Sequence, residues 1–291
     1  MVFMDSNELQ ILMQEKMMDL PNKAHRVVSY LLRNMREAAF RSIGDVAEEL
    51  DVSKAQLVRV ARMLGFSGYT ELKEALKEAI LDQVNPSAML ARSQDMEENI
   101  AHTILRTEHA NLEDTWTQLS DEKIQTFCSL VEKARTVYCM GWGISSLAME
   151  SLFMRLRVMG INAYLLKRGS LTLQEQSRGI TPDDLIITSA LPSYVAEVTE
   201  VCELCHERNI SIVTITDSPA APVCRFSELS FYVSAKSPTF GSSIISPLFL
   251  IHVLTSVLAI SMGERVRKAM EEQTAFLHDT RIFHPIFGLK Y

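Results

Sequence analysis

The sequence predicts an all-helical N-terminal domain followed by an α/β domain, in which a five-stranded parallel sheet lies between helices. The first 84 or so residues show helical periodicity throughout. From about Thr136, short apolar strands alternate with helices, which is the pattern of a parallel sheet covered on both faces. The 291 residues, 47% of them apolar, suffice for two ordinary domains. The expected domains are 1–84 and 121–291, joined by a helical linker over 85–120.

Four helices are expected in the N-terminal domain. Lys23 to Met35 has helical apolar spacing, and Glu71 to Val84 ends at Asn85-Pro86. Two shorter helices, Ile43 to Leu50 and Lys54 to Leu64, begin after serines that have Asp or Gln three residues on. This is the form of a capping box, in which side chains satisfy the first backbone N–H groups.

The two capped helices have the spacing of a helix-turn-helix, whose second helix lies in the DNA major groove. The residues predicted to contact DNA are polar and basic ones near the helix starts: Ser42, Ser53, Lys54, Gln56, Arg59 and Arg62. Gln suits adenine, whereas Lys and Arg suit guanine or phosphate. The spacing alone fits a small helical bundle for dimerisation or peptide binding equally well.

The second half contains the β signals. Helical stretches at Met96 to Leu119 and Asp121 to Lys133 precede five expected strands, 136–140, 162–166, 184–188, 211–216 and 229–233. Helices are expected at 144–159 and 195–208, and from Ser242 almost to Thr280. Gly141-Trp142-Gly143-Ile144-Ser145-Ser146 leaves the first strand and enters a helix, so it predicts either an anion cradle or a structural turn. It lacks the third glycine of a dinucleotide fingerprint, and no Walker-type motif occurs.

The N-terminal residues also carry a family resemblance. Ala24 to Leu76 resembles the N-terminal domain of the MurR/RpiR family of bacterial transcriptional regulators, through Ser42-Ile43, Ala47, Val52-Ser53, Val58-Arg59, Leu64-Gly65-Phe66, Gly68-Tyr69 and Glu71-Leu72-Lys73. The resemblance implies operator DNA as a partner. Gln56 stands where the family more often has Thr, so the operator sequence does not carry over.

Arg135 to about Ala259 resembles a sugar isomerase (SIS) domain, the usual partner of this helix-turn-helix. The resembling pieces are GWGISSLAME, DDLIITS and ITDSPAAPVCRFSELSFYV. The resemblance implies a phosphosugar at the C-terminal ends of the strands, and the predicted ligand residues are Gly141, Gly143, Ser145, Ser146, Ser189 and Ser193. The family loop Ser-x-Ser-Gly-x-Thr is replaced by Ala190 to Val195, with Ser189 and Ser193 one position away. A different anion or a less charged sugar derivative therefore stays open.

Charge and cysteine content limit the partners. The formal charge of −7, from 29 basic and 36 acidic residues, argues against nucleic acid when taken alone. Val52 to Tyr69 nevertheless holds three basic residues and no acidic one, so phosphate contacts should be few and local. Five cysteines in a long chain disfavour a disulfide framework, and we expect no metal and no cofactor. Ile244 to Gly263 is long enough to span a membrane but too polar, so it should be buried between domains or subunits.

Together these observations predict a cytoplasmic, ligand-responsive DNA-binding regulator that works as a homodimer or homotetramer, with no membrane partner. Its effector would be a sugar phosphate or related sugar-derived metabolite, and no catalytic residue is expected. The alternative is a sugar-phosphate isomerase on the same fold, with Glu150, Glu175 or Glu197 as a base. A helical interaction module with an α/β oligomerisation domain is a third possibility.

Overall fold

The computed structural model describes residues 6–17, 20–94 and 99–280. The chain divides into two compact units. The first comprises residues up to Glu108 together with 218–222 and 236–243, and the second comprises the remainder from His109. The expected division of the chain at residues 84 and 120 stays a prediction.

The N-terminal part is helical, as predicted. Its helices are α1 (Ser6–Met17), α2 (Asn22–Arg33), α3 (Met35–Phe40), α4 (Ile43–Glu49), α5 (Lys54–Met63), α6 (Tyr69–Val84) and α7 (Pro86–Gln94), and α8 (Ile100–Thr117) follows. The first six pack around one core, to which α2 contributes Val27, Val28 and Leu31. The expectation of one helix from Lys23 to Met35 was wrong at its end. Asn34, with φ −122° and ψ 39°, leaves helical geometry, and α3 begins at Met35.

The second unit holds a parallel sheet in the order β2-β1-β3-β4-β5. In chain order its elements are α9 (Asp121–Lys133), β1 (Val137–Gly141), α10 (Ile144–Val158), β2 (Ala163–Leu166), α11 (Leu173–Ser177), β3 (Leu185–Ala190), α12 (Ala196–Glu207), β4 (Ser211–Thr216), a 3₁₀ turn (Pro222–Phe226), β5 (Leu229–Tyr232), α13 (Ile245–Met262) and α14 (Glu264–Asp279). The five predicted strands are confirmed. The central strand β3 is buried along its whole length, as a strand covered on both faces must be.

The long C-terminal helix was predicted wrongly as nearly unbroken. Gly263 has φ 50°, a left-handed conformation that glycine adopts without strain, and it separates α13 from α14. By length and composition α13 could cross a membrane. In the structure, however, one side of α13 is part of the hydrophobic core of the α/β unit, where Leu250, Leu254 and Leu258 are buried. This side of the helix is thus buried within its own unit and not between domains or subunits as predicted, whereas Ile260 on the other side is 80% exposed.

Candidate DNA-binding helix and ligand cleft

Two serine caps define the starts of α4 and α5. The Ser42 hydroxyl accepts a hydrogen bond from the Asp45 N–H (3.2 Å), and the Asp45 carboxylate accepts from the Ser42 N–H (3.1 Å), which completes a capping box. The Ser53 hydroxyl accepts from the Gln56 N–H at 3.2 Å. Both of these predicted DNA-contacting serines thus also stabilise their own helices.

The connection between α4 and α5 is a tight turn. Asp51 has φ 51°, and the Val52 N–H donates to the Ala47 carbonyl oxygen at 2.9 Å. This geometry presents the start of α5 at the surface, as the helix-turn-helix spacing predicts.

The basic residues predicted for DNA contact lie at the surface. Lys54, Arg59 and Arg62 are exposed, and Gln56 is half-buried. The Lys54 side chain runs across Gly44, since a Cβ built on Gly44 would lie 3.4 Å from Lys54 Cε. Arg62 Nε donates to the Ser67 carbonyl oxygen at 3.2 Å, so one N–H of this guanidinium is already used in a hydrogen bond within the domain. Lys54 and Arg59 are therefore the better candidates for direct contact.

Two arginines that sequence reasoning missed hold this motif in place. Arg26 donates to the Leu50 carbonyl oxygen at the end of α4. Arg41 pairs with Glu49 and also donates to the Tyr30 hydroxyl at 3.4 Å. Nothing in the local spacing identifies these residues, because the Arg26–Leu50 and Arg41–Tyr30 bonds form only when α2 packs on the motif.

The second site is a cleft of about 130 Å³ at the C-terminal ends of β1 and β3. This is where ligands bind in open α/β sheets. Four predicted ligand residues line it: Gly143, Ser145, Ser189 and Ser193. The other lining residues are Trp142, Ile144, Ala190, Leu191, Pro192, Tyr194, Val195 and Val198. Gly141 and Ser146 are not among them.

Gly141 and Ser146 act on the backbone around the cleft. A Cβ on Gly141 would lie 2.8 Å from the Ser145 carbonyl oxygen, so only glycine lets β1 pass directly into α10. The Ser146 hydroxyl donates to the Gly143 carbonyl oxygen at 2.7 Å. Gly143 itself has φ 57°, a conformation that favours glycine. Two residues predicted to touch a ligand thus shape the turn, as the structural-turn alternative expected.

Two serine hydroxyls give the cleft its polar character. The Leu191 N–H donates to Ser145 Oγ at 3.3 Å, which leaves the Ser145 proton able to donate elsewhere. Four described side chains bury a polar atom that has no hydrogen-bond partner, and Ser189 is the one among them that lines the cleft. A buried hydroxyl without a partner costs free energy, so a ligand group that bonds to it would be stabilised.

The loop after β3 closes one side of the cleft. Ser193 and Tyr194 have φ values of 96° and 28°, which are strained for residues with side chains. The Tyr194 hydroxyl donates to Asp217 Oδ1 at 2.7 Å and anchors the loop to the end of β4. Sequence reasoning missed Asp217, since its role depends on the loop conformation.

The carboxylates considered as isomerase bases serve structural roles. Glu175 completes a capping box with Thr172, and these hydrogen bonds hold the pKa of Glu175 below its usual value. Glu197 accepts from the Leu173 N–H at 2.9 Å, and Glu150 lies 3.5 Å from Lys167. None of the three lines the cleft.

Two cysteines of α12 lie in the interior of the second unit. Cys202 and Cys205 are buried in α12, and burial raises the pKa of both thiols. Within 6–17, 20–94 and 99–280, no group of three or more His, Cys, Asp or Glu side chains could hold a metal ion.

A capped helix-turn-helix joined to a sheet with a cleft at its carboxyl edge defines the class of HTH-type transcriptional regulators with a SIS domain. Residues 7–83 match the helix-turn-helix domain of the rpiR family, and residues 130–257 match the SIS domain. The chain belongs to the RpiR family of transcriptional regulators.

Relatives of full length support this assignment. An uncharacterized HTH-type transcriptional regulator of Clostridium perfringens is 24% identical over 261 residues, covering 87% of this chain and 93% of the relative. The regulator YfhH of Escherichia coli is 23% identical over 253 residues, covering 86% of this chain and 89% of the relative.

Two solved structures share the fold. The Vibrio vulnificus NanR protein complexed with ManNAc-6P has a TM-score of 0.64 and 22% identity, covering 94% of this chain and 98% of that one. The sugar isomerase domain of an RpiR transcription factor from Sphaerobacter thermophilus has a TM-score of 0.59 and 21% identity, covering 61% and 99%. Both confirm the fold predicted from the sequence.

Proposed function

We propose that this transcriptional regulator binds double-stranded operator DNA through α5 and senses a sugar-derived effector in the cleft of its SIS domain. It acts in the cytoplasm as a homodimer or homotetramer and is not an enzyme. The unpartnered hydroxyl of Ser189 is the observation that carries the effector site, because a ligand there satisfies a buried polar group.

The chemistry of the cleft defines the effector class. None of the residues that line it has a charged side chain, whereas hydroxyls and the N-terminus of α10 face it. A sugar ring would bond to Ser145 and Ser189 and lie near Trp142 and Tyr194. An anionic substituent such as phosphate would be held by the positive end of the α10 dipole rather than by Lys or Arg. The NanR complex with ManNAc-6P makes sugar phosphates the first class to test.

The effector is tested by thermal shift of the full chain with N-acetylmannosamine 6-phosphate, N-acetylmannosamine, glucose 6-phosphate and inorganic phosphate. We expect a phosphosugar to raise the melting temperature, and Ser189→Ala to remove most of the shift. Ser177→Ala is the matched control, since Ser177 is also buried but bonds to the Gln174 carbonyl oxygen away from the cleft. An equal shift in the Ser189 and Ser177 variants would place the ligand elsewhere.

Turnover separates the regulator from the isomerase alternative. None of the three candidate carboxylates lines the cleft, so we expect no interconversion of aldose and ketose phosphates by the purified protein. Steady conversion that scales with protein concentration would show the chain to be an enzyme.

The DNA interface is tested by capture and sequencing of genomic fragments, followed by binding measurements on the enriched site. The double variant Lys54→Ala, Arg59→Ala should bind the site about 100-fold more weakly. The slope of log affinity against log salt concentration should become shallower by about one for each phosphate that the variant no longer neutralises. Lys23→Ala, an exposed lysine on α2, is the control and should bind as the wild type does. Unchanged affinity in the double variant would exclude α5 as the recognition helix.

A further inference from the structure

Helix α10 carries an apolar stripe on its solvent side. Ile144, Leu147, Met154 and Val158 are between 37% and 54% exposed, and half-buried Ser151 lies between them. The spacings of three, four, three and four residues place all five on one face, as in the a and d positions of a helix pair. The opposite face of α10, with Leu152 and Leu156, is already buried in the core of the unit.

The charges beside the stripe identify the partner. Glu150 and Arg157 flank the same side of it, two turns apart, and carry opposite charges. Glu150 also lies 3.5 Å from Lys167, in a surface ion pair that leaves its carboxylate 40% exposed. Arg157 is exposed and has no ion-pair partner among the residues that the structure describes. If a second α10 lies antiparallel, with Ser151 opposite the partner's Met154, then Glu150 faces the partner's Arg157 on both sides of a two-fold axis. A parallel pair would instead place Glu150 near Arg155, which is half-buried.

We infer that α10 pairs with α10 of a second copy of this chain in an antiparallel arrangement. Leu147 and Met154 form the apolar centre of this interface, and Glu150 and Arg157 fix its register. Ile144, at one end of the stripe, also lines the cleft. The interface therefore adjoins the cleft, although the inference does not depend on what the cleft binds.

Sedimentation velocity of the full chain over a range of concentrations tests the apolar centre. Met154→Glu should reduce the assembly to the next smaller species and raise the dissociation constant at least about tenfold, because a carboxylate would be buried without a partner. The matched control is Leu204→Glu on α12, an apolar residue that is 42% exposed and lies outside the stripe. A wild type that is monomeric at all concentrations, or a Met154 variant that assembles normally, would overturn the inference.

Charge reversal tests the register and leaves the apolar stripe unchanged. This test therefore remains informative even if Met154→Glu disturbs folding. Glu150→Arg and Arg157→Glu should each weaken self-association, because each brings like charges together. Mixed in equal amounts, the two variants should form mixed dimers as tight as the wild type, since every pair is then opposite in charge. Glu203→Arg on α12 serves as the charge-reversal control. A mixture that associates no better than the separate variants would exclude the antiparallel pairing.

Discussion

Replacing Gly141 by alanine tests how the turn between β1 and α10 shapes the cleft. The added Cβ would lie 2.8 Å from the Ser145 carbonyl oxygen, 3.0 Å from its carbon and 3.1 Å from the Ser146 nitrogen. All three atoms belong to the backbone of the first turn of α10, so no side-chain rotation relieves the contact. The first turn of α10 must move, and it carries the Ser145 hydroxyl with it.

The expected cost follows from this geometry. Overpacking in a well-packed interior costs typically 1–3 kcal/mol, and contact with backbone favours the upper end, about 3 kcal/mol. For a unit of this size, each kcal/mol lowers the melting temperature by about 2–4 °C, so we expect a decrease of roughly 6–12 °C.

Differential scanning calorimetry measures this effect as the melting temperature of the unit that contains the parallel sheet. Gly179→Ala is the control, because a Cβ there meets nothing within 4 Å and Gly179 does not have a positive φ. We expect the control to melt within about 2 °C of the wild type. If Gly141→Ala also melts within this range, the close approach of β1 to α10 does not explain the glycine.

Three further predictions concern caps and buried polar groups. Ser53→Ala should destabilise the helix-turn-helix by about 1 kcal/mol, as measured by urea denaturation. Ser53→Asp should keep the cap and the stability but lose DNA binding in a binding assay, because its carboxylate repels phosphate. Burial raises the pKa of Asp184, but bonds from Arg135 and Thr181 outweigh it and hold this pKa below its usual value. This stabilisation is present above about pH 3.8 and is lost as the pH falls, so Asp184→Asn should flatten the acid limb of a stability profile and cost about 2–3 kcal/mol at pH 7. Burial raises the pKa of Tyr69 to about 12, and its hydroxyl has no partner. Tyr69→Phe should therefore leave the free energy of unfolding unchanged or raise it by up to about 1 kcal/mol. The wild type should lose stability as the pH rises from 10 to 12, and the variant should not show this loss.

The fold was largely predictable because it depends on short-range patterns. Alternation of apolar strands with helices located all five strands, and the serine caps located α4 and α5. The break at Gly263 was missed, since a helical pattern on both sides of a glycine looks like one helix. The end of α2 was missed because Asn34 is an ordinary residue whose conformation is set by packing.

The cleft was predictable only in part. Ser145 and Ser189 were predicted from the resemblance to SIS domains, in agreement with the rule that ligands bind at the carboxyl ends of strands. The backbone N–H of Leu191 and the anchor from Tyr194 to Asp217 depend on how one loop folds, which no local pattern in the sequence encodes. Ser146 has the same residue type as Ser145, yet its hydroxyl bonds to its own turn.

The bond from the Leu191 N–H to the Ser145 hydroxyl makes one backbone amide a reporter of the whole cleft. A hydroxyl that donates its proton to a ligand becomes a stronger acceptor for the bond it already receives. Hydrogen exchange at Leu191 should therefore slow when the cleft fills, since this amide donates to the Ser145 hydroxyl. This single proton offers a direct way to follow occupancy in solution.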